Sequence, residues 1–191
     1  MDSINVGIVG CGFVGLGAHV PAFKAIEGAR LVAVADADSD RRDKVVKKYQ
    51  VPSAYNDYSE LVRDPKIQVV VIAAPTPLHA QVAMATIEAG KHVLCEMPLA
   101  ANLDQVDQMI EAARRQGVCL MPGLNFRFTP NYVKAKDLID SGALGRLSAL
   151  MYREWIPAKD LAKQWPPGAW MWSVEESGGP LVWTARCNRE L

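Results

Sequence analysis

The sequence has no surplus of either charge: 21 Lys and Arg face 21 Asp and Glu, and no run of five or more like charges occurs. A nucleic-acid groove or an anionic lipid surface needs such a surplus, so neither a nucleic-acid partner nor a membrane partner is expected. Long hydrophobic runs are also missing. Apolar stretches such as Val69 to Ala74 reach strand length, far below the ~20 residues of a membrane span. The first residues carry no basic segment followed by an apolar one, so no secretory signal is read there and a cytoplasmic location is expected. Cysteine is sparse and scattered: Cys11, Cys95, Cys119 and Cys187 form no CxxC pair. That argues against a zinc site or a disulfide framework, and for free thiols in a reducing compartment.

Against these absences stands a regular alternation. Apolar runs recur at Asn5 to Val9, Leu31 to Ala35, Val69 to Ala74, His92 to Cys95 and Val118 to Met121, separated by segments of helical spacing. This predicts repeated βαβ units, hence an α/β chain with a doubly wound parallel sheet and helices on both faces. The spacing predicts a helix from Asn102, with Asn102 as cap, Leu103, Val106, Met109, Ile110 and Ala113 on one stripe, and Gly117 as terminator. A second runs from about Pro77 to Ala89, with Leu78, Val82, Ala85 and Ala89 turned inward, and a third covers Asp40 to Tyr49. A short strand near Ser53 to Tyr55 and a short helix from Asp57 to Val62 complete the first half. The character changes after Gly123. There a helix from Thr129 or Pro130 to Ser141 and a strand from Arg146 to Arg153 are expected, then a stretch rich in proline, tryptophan and glycine that reads as loop. The expected division is one domain over 1–123 and an incomplete start of a second α/β domain over 124–191, mostly loop after 155.

The glycine-rich loop Gly10 Cys11 Gly12 Phe13 Val14 Gly15 directly follows the first apolar run, and Asp36 ends the second one, 21 residues beyond Gly15. In such a strand–loop–helix context the first glycine permits the tight turn. The second lets backbone approach a pyrophosphate, and the third allows helix and strand to pack closely. The free amides at the start of the next helix favour the phosphates. Dinucleotide binding is the expectation. Asp36 is placed to accept hydrogen bonds from ribose hydroxyls, and its charge repels a 2′-phosphate, so NAD is favoured over NADP. Arg41 and Arg42 keep NADP open as an alternative, against the simpler reading of a solvated helix face.

Ala74, Pro75 and Thr76, with His79 in the following helical turn, sit where the fourth strand delivers the chain to the carboxyl edge of the sheet, the edge on which such sheets bind ligands. Thr76 is a candidate helix cap, and a helix N-terminus lowers the pKa of an imidazole such as His79. His19 and His92 read as structural or solvated.

Taken together, GxGxxG with His19 and Pro21 downstream, APTPLH from Ala74, EAGKHVLCEMPLA from Glu88 to Ala100, Asn125 Phe126 Arg127 Phe128 with Pro130, and GALGRL from Gly142 resemble the Gfo/Idh/MocA family of glucose-fructose oxidoreductases and inositol dehydrogenases. The resemblance covers about Ile4 to Leu181. It implies an N-terminal Rossmann domain, a larger C-terminal α/β domain, and hydride transfer between NAD(P) and a sugar, inositol or related polyol. It adds Glu96, Met97 and Asn125 to the residues expected to line the cofactor, and places Arg127 with Asn125 at the substrate cleft. Two departures limit what is carried over. Where the family pattern reads Glu-Lys-Pro, this chain has Glu96 Met97 Pro98, and a thioether neither donates nor accepts a proton as an acid–base group does. The aspartate and histidine that follow the family's glycine run have no counterpart after Ser177 Gly178 Gly179 Pro180 Leu181, so no catalytic residue is assigned. The expectation is a truncated or frame-altered product that carries the nucleotide-binding part and lacks competence by itself. An oligomer is expected only with the missing domain. The alternatives are an NAD-binding module without turnover and an NAD-holding glycosidase, which would need the same lost residues.

Overall fold

The computed structural model describes residues 3–151 and 172–173. Its chain falls into two units, divided after Gly123. In the first, six strands alternate with helices: β1 (Ile4–Val9), a π-helical turn Gly15–His19 running into α1 (Val20–Ala25), β2 (Ala29–Ala35), α2 (Ser39–Tyr49), β3 (Ser53–Tyr55), α3 (Tyr58–Arg63), β4 (Val69–Ile72), α4 (Thr76–Glu88), β5 (His92–Cys95), α5 (Leu103–Gln116) and β6 (Leu120–Pro122). Every strand pairing is parallel, in the order β3-β2-β1-β4-β5-β6. The strand order changes direction between β1 and β4, and the carboxyl edge at such a switch point is where doubly wound sheets bind ligands.

The two-residue period of the strands feeds two cores. Val70, Ile72, Val93 and Cys95 face α3, α4 and α5 through Leu61, Val82, Ala83, Ile87, Met109 and Ala112. The alternate positions Val6, Ile8, Val34 and Val71 face α1 and α2 through Val20 and Val45. A side chain such as Ile8 or Ile72, wholly removed from water, contributes about 1.5–3 kcal/mol. Asn102 caps α5 by accepting a hydrogen bond from the Gln105 amide, and Gly117 ends it in the left-handed region. Cys11 and Cys95 are buried free thiols, and burial pushes the Cys11 thiol up to about 12.

Three local readings of the sequence fail. Helix α4 begins with Pro75 at its N-cap and makes no side-chain cap bond, so Thr76 does not cap it. The inward stripe of α4 is Thr76, His79, Val82, Ala83, Thr86 and Ile87, while Leu78 is 42% exposed. Polar residues take core positions because Thr86 returns its hydroxyl to the Val82 carbonyl and His79 finds carbonyls of its own. In the second unit a 3-10 turn (Asn125–Phe128) precedes α6 (Pro130–Asp140), and no strand forms between 146 and 151. The rest of that expected strand lies outside the described residues, as does the loop beyond 155 apart from Trp172 and Ser173. No helix among the described residues is long and apolar enough to cross a membrane.

Candidate nucleotide-binding site

The glycine loop is shaped by three different demands. Gly10 has φ +99°, and a Cβ there would stand 2.5 Å from the Ala73 carbonyl oxygen, so only glycine lets β1 turn beside the end of β4. A Cβ on Gly15 would overlap the carbonyl oxygen of Gly10, which fixes how tightly the following helix folds back on the loop. Gly12 differs: a Cβ there would meet nothing within 4 Å. The protein's own packing leaves that position open, so its backbone faces space that a ligand can fill. Phe13 is exposed and Val14 half-buried.

Asp36 closes the loop from the side. Its Oδ2 accepts the Cys11 amide at 2.7 Å and its Oδ1 accepts the Asp38 amide at 2.9 Å. Each carboxylate oxygen has a further lone pair, so capacity for a diol remains. Asp38 caps α2 through the Arg41 amide and pairs with the Arg41 guanidinium. Arg42 is not a solvated helix residue: its Nη1 donates to the Asp36 carbonyl at 3.0 Å, and its side chain is 13% exposed.

Across the switch point, β4 delivers Ala74, Pro75 and Thr76. Thr76 is 2% exposed and its hydroxyl has no partner, an omission that normally costs about 1–3 kcal/mol and marks a place where a further polar group belongs. His79 departs from its expected role as a ligand-facing residue. It is 1% exposed, with Nδ1 2.8 Å from the Pro98 carbonyl and Nε2 2.8 Å from the Ala74 carbonyl. It ties the turn after β5 to the end of β4. Two carbonyl partners suit an imidazolium, but burial outweighs them and holds the His79 pKa below its ordinary value. The neutral ring donates to one carbonyl only.

The turn after β5 carries Glu96 and a cis Met97–Pro98 bond. Glu96 is half-buried; its Oε2 accepts the amide of Met97, and its Oε1 accepts from Nε2 of His19 at 2.8 Å. His19, which the local sequence left as an incidental residue, is thus drawn into the site by a partner 77 positions away. No local pattern announces such a pair. Asn125 stands exposed in the second unit, in the 3-10 turn.

Residues 4–124 match the family described as "Oxidoreductase family, NAD-binding Rossmann fold" (GFO_IDH_MocA). The chain belongs to this family. It is similar to the myo-inositol 2-dehydrogenase of Thermotoga maritima, at 36% identity over 155 residues, which are 81% of this chain and 46% of that protein. The crystal structure of a probable dehydrogenase from Thermotoga maritima superposes with a TM-score of 0.72 at 37% identity, covering 74% of this chain and 42% of that one. The scyllo-inositol dehydrogenase of Lactobacillus casei, solved with NAD(H) and scyllo-inositol, gives a TM-score of 0.72 at 27% identity, covering 75% and 43%. The chain therefore spans less than half the length of these members of the oxidoreductase family.

Proposed function

We propose that this chain holds NAD across the carboxyl edge of its sheet, as the nucleotide-binding part of an oxidoreductase that moves hydride between the nicotinamide and an inositol, sugar or related polyol. The observation that carries the reading is the open backbone at Gly12 beside a carboxylate already oriented by two amides. Gly10, Gly12, Phe13, Val14 and Gly15 line the pyrophosphate, and Asp36 accepts from the ribose diol. Strand order sets the direction: with Asp36 after β2 and the glycine loop after β1, the remainder of the ligand lies toward β4 and β5. Ala74, Pro75, Thr76, Glu96 and Met97 stand on that side, and the unpartnered Thr76 hydroxyl fits a polar ligand. The nicotinamide, when bound, supplies the hydride acceptor, while the protein binds and orients.

NAD is favoured over NADP because the Asp36 carboxylate repels a second phosphate, and the two arginines that would answer it are engaged with Asp38 and the Asp36 carbonyl. A second reading, binding without turnover, rests on Met97, which has no proton to move where the family pattern has lysine. Titration with NADH and NADPH, followed by energy transfer from the tryptophans, tests the first step. A panel of inositols and sugars watched by absorbance tests the second. NADH binding tighter than NADPH binding is expected, and binding of neither defeats the proposal. Binding with no turnover favours the second reading and removes hydride transfer by this chain alone.

A further inference from the structure

The His19–Glu96 contact joins two parts of the site that the sheet alone does not connect. His19 ends the π-helical turn that begins at Gly15, the last glycine of the loop. Such turns are frequent at functional sites. The His19 ring is oriented from behind by Phe23, with centroids 6.4 Å apart and planes 23° apart. Glu96 is confined from the other side: a Cβ on Gly123 would come within 3.3 Å of Glu96 Cδ, so the absence of that side chain leaves room for the carboxylate. The carboxylate then divides its two oxygens between His19 and the amide of Met97. A carboxylate oxygen only accepts, so in this contact the proton lies on the imidazole side, at Nε2 of His19. One end of this chain of contacts is the glycine loop and the other is the backbone of Met97.

We propose that His19 and Glu96 are a positioning pair, through which the glycine loop sets where the Met97–Pro98 turn stands against the half of the ligand beyond the pyrophosphate. The proposal rests on the dinucleotide reading above and deepens it. On that geometry the pair acts on the nicotinamide half and leaves the ADP half alone, which Asp36 and the glycine loop hold without it.

The test compares NADH with ADP as ligands of the wild-type chain, of His19→Phe, of Glu96→Ala, of the double variant and of the conservative Glu96→Gln. The two disruptive single variants are expected to weaken NADH about tenfold, as loss of one charge-assisted hydrogen bond implies, with ADP changed less than about twofold. The double variant should be no worse than either single one, and Glu96→Gln, which keeps an acceptor for His19, should recover most of the loss. Equal weakening of NADH and ADP would show general damage to the loop and overturn the pair's proposed role, as would unchanged NADH binding or losses that multiply in the double variant. If a disruptive variant does not fold, His19→Ala and Glu96→Leu, which remove the same hydrogen bond, carry the same comparison. A wild-type chain that binds neither ligand would overturn the dinucleotide reading itself, an outcome distinct from all of these.

Discussion

The loop after β1 and the turn after β5 meet at one sheet edge, yet they are specified in opposite ways. The first is defined by what is missing: at Gly10 and Gly15 a side chain would strike backbone oxygen, and at Gly12 it would enter open space. The second is defined by what is added, since the two histidines and Glu96 tie it to the π-helical turn and to the end of β4. A loop made by steric permission is set by its own residues. A turn made by hydrogen bonds depends on partners that the rest of the fold must deliver.

The sharpest way to break this comparison lies within the glycine loop. Gly15→Val should prevent the loop from closing on Gly10 and destabilise the first unit by about 3 kcal/mol or more, beyond ordinary overpacking because the obstacle is backbone. Gly12→Ala should shift the urea midpoint by no more than about 0.5 kcal/mol, since the new methyl meets nothing, while NADH affinity falls. Equal loss of stability in the two variants would show that the openness at Gly12 is not a vacancy for ligand.

Next in size comes the turn after β5. His79→Leu keeps the volume roughly but removes the one hydrogen bond that the neutral ring donates to the Ala74 or Pro98 carbonyl, at an expected cost of about 1–3 kcal/mol in denaturant unfolding. A cost below about 1 kcal/mol would mean that the turn stands without its clamp, as the glycine loop does. Asp36→Ala should cost the fold about 1–3 kcal/mol, because the amide of buried Cys11 loses its acceptor, and should weaken NADH about tenfold and narrow the preference over NADPH. An unchanged NADH-to-NADPH ratio would remove Asp36 from cofactor choice.

The same contrast explains what could be read from the sequence. The parallel sheet, the glycine loop and the ends of α5 were legible because each follows from spacing within a few residues: Val6 and Ile8 against Gly7 and Val9, Asn102 three residues before its amide partner, Gly117 at a helix end. Helix α4 was placed well but turned wrongly, because Leu78 looked like core and Thr76, His79 and Thr86 did not. Thr86 and His79 become core because partners are supplied, and the Pro98 carbonyl lies 19 positions from His79. The roles of the two histidines changed for that reason. His79, singled out for its place in the first turn of α4, is a buried clamp, and His19 reaches Glu96 through the fold alone.

The smallest expected effect is the response of the His79 clamp to pH. Burial lowers the His79 pKa from its ordinary value near 6.5, so the folded protein takes up its proton at a lower pH than the unfolded chain does. Where the unfolded state binds more protons, stability rises with pH. The contribution of the neutral ring is therefore complete above about pH 6.5 and is lost as pH falls from there through the lowered folded value, by about 1.4 kcal/mol for each unit of depression. Denaturant midpoints measured between pH 7.5 and 5 should fall for the wild-type chain and fall less steeply for His79→Leu. A slope that survives unchanged in His79→Leu would show that the buried ring is not the group whose protonation weakens the fold in acid, and the turn after β5 would then owe nothing to the neutral state of its clamp.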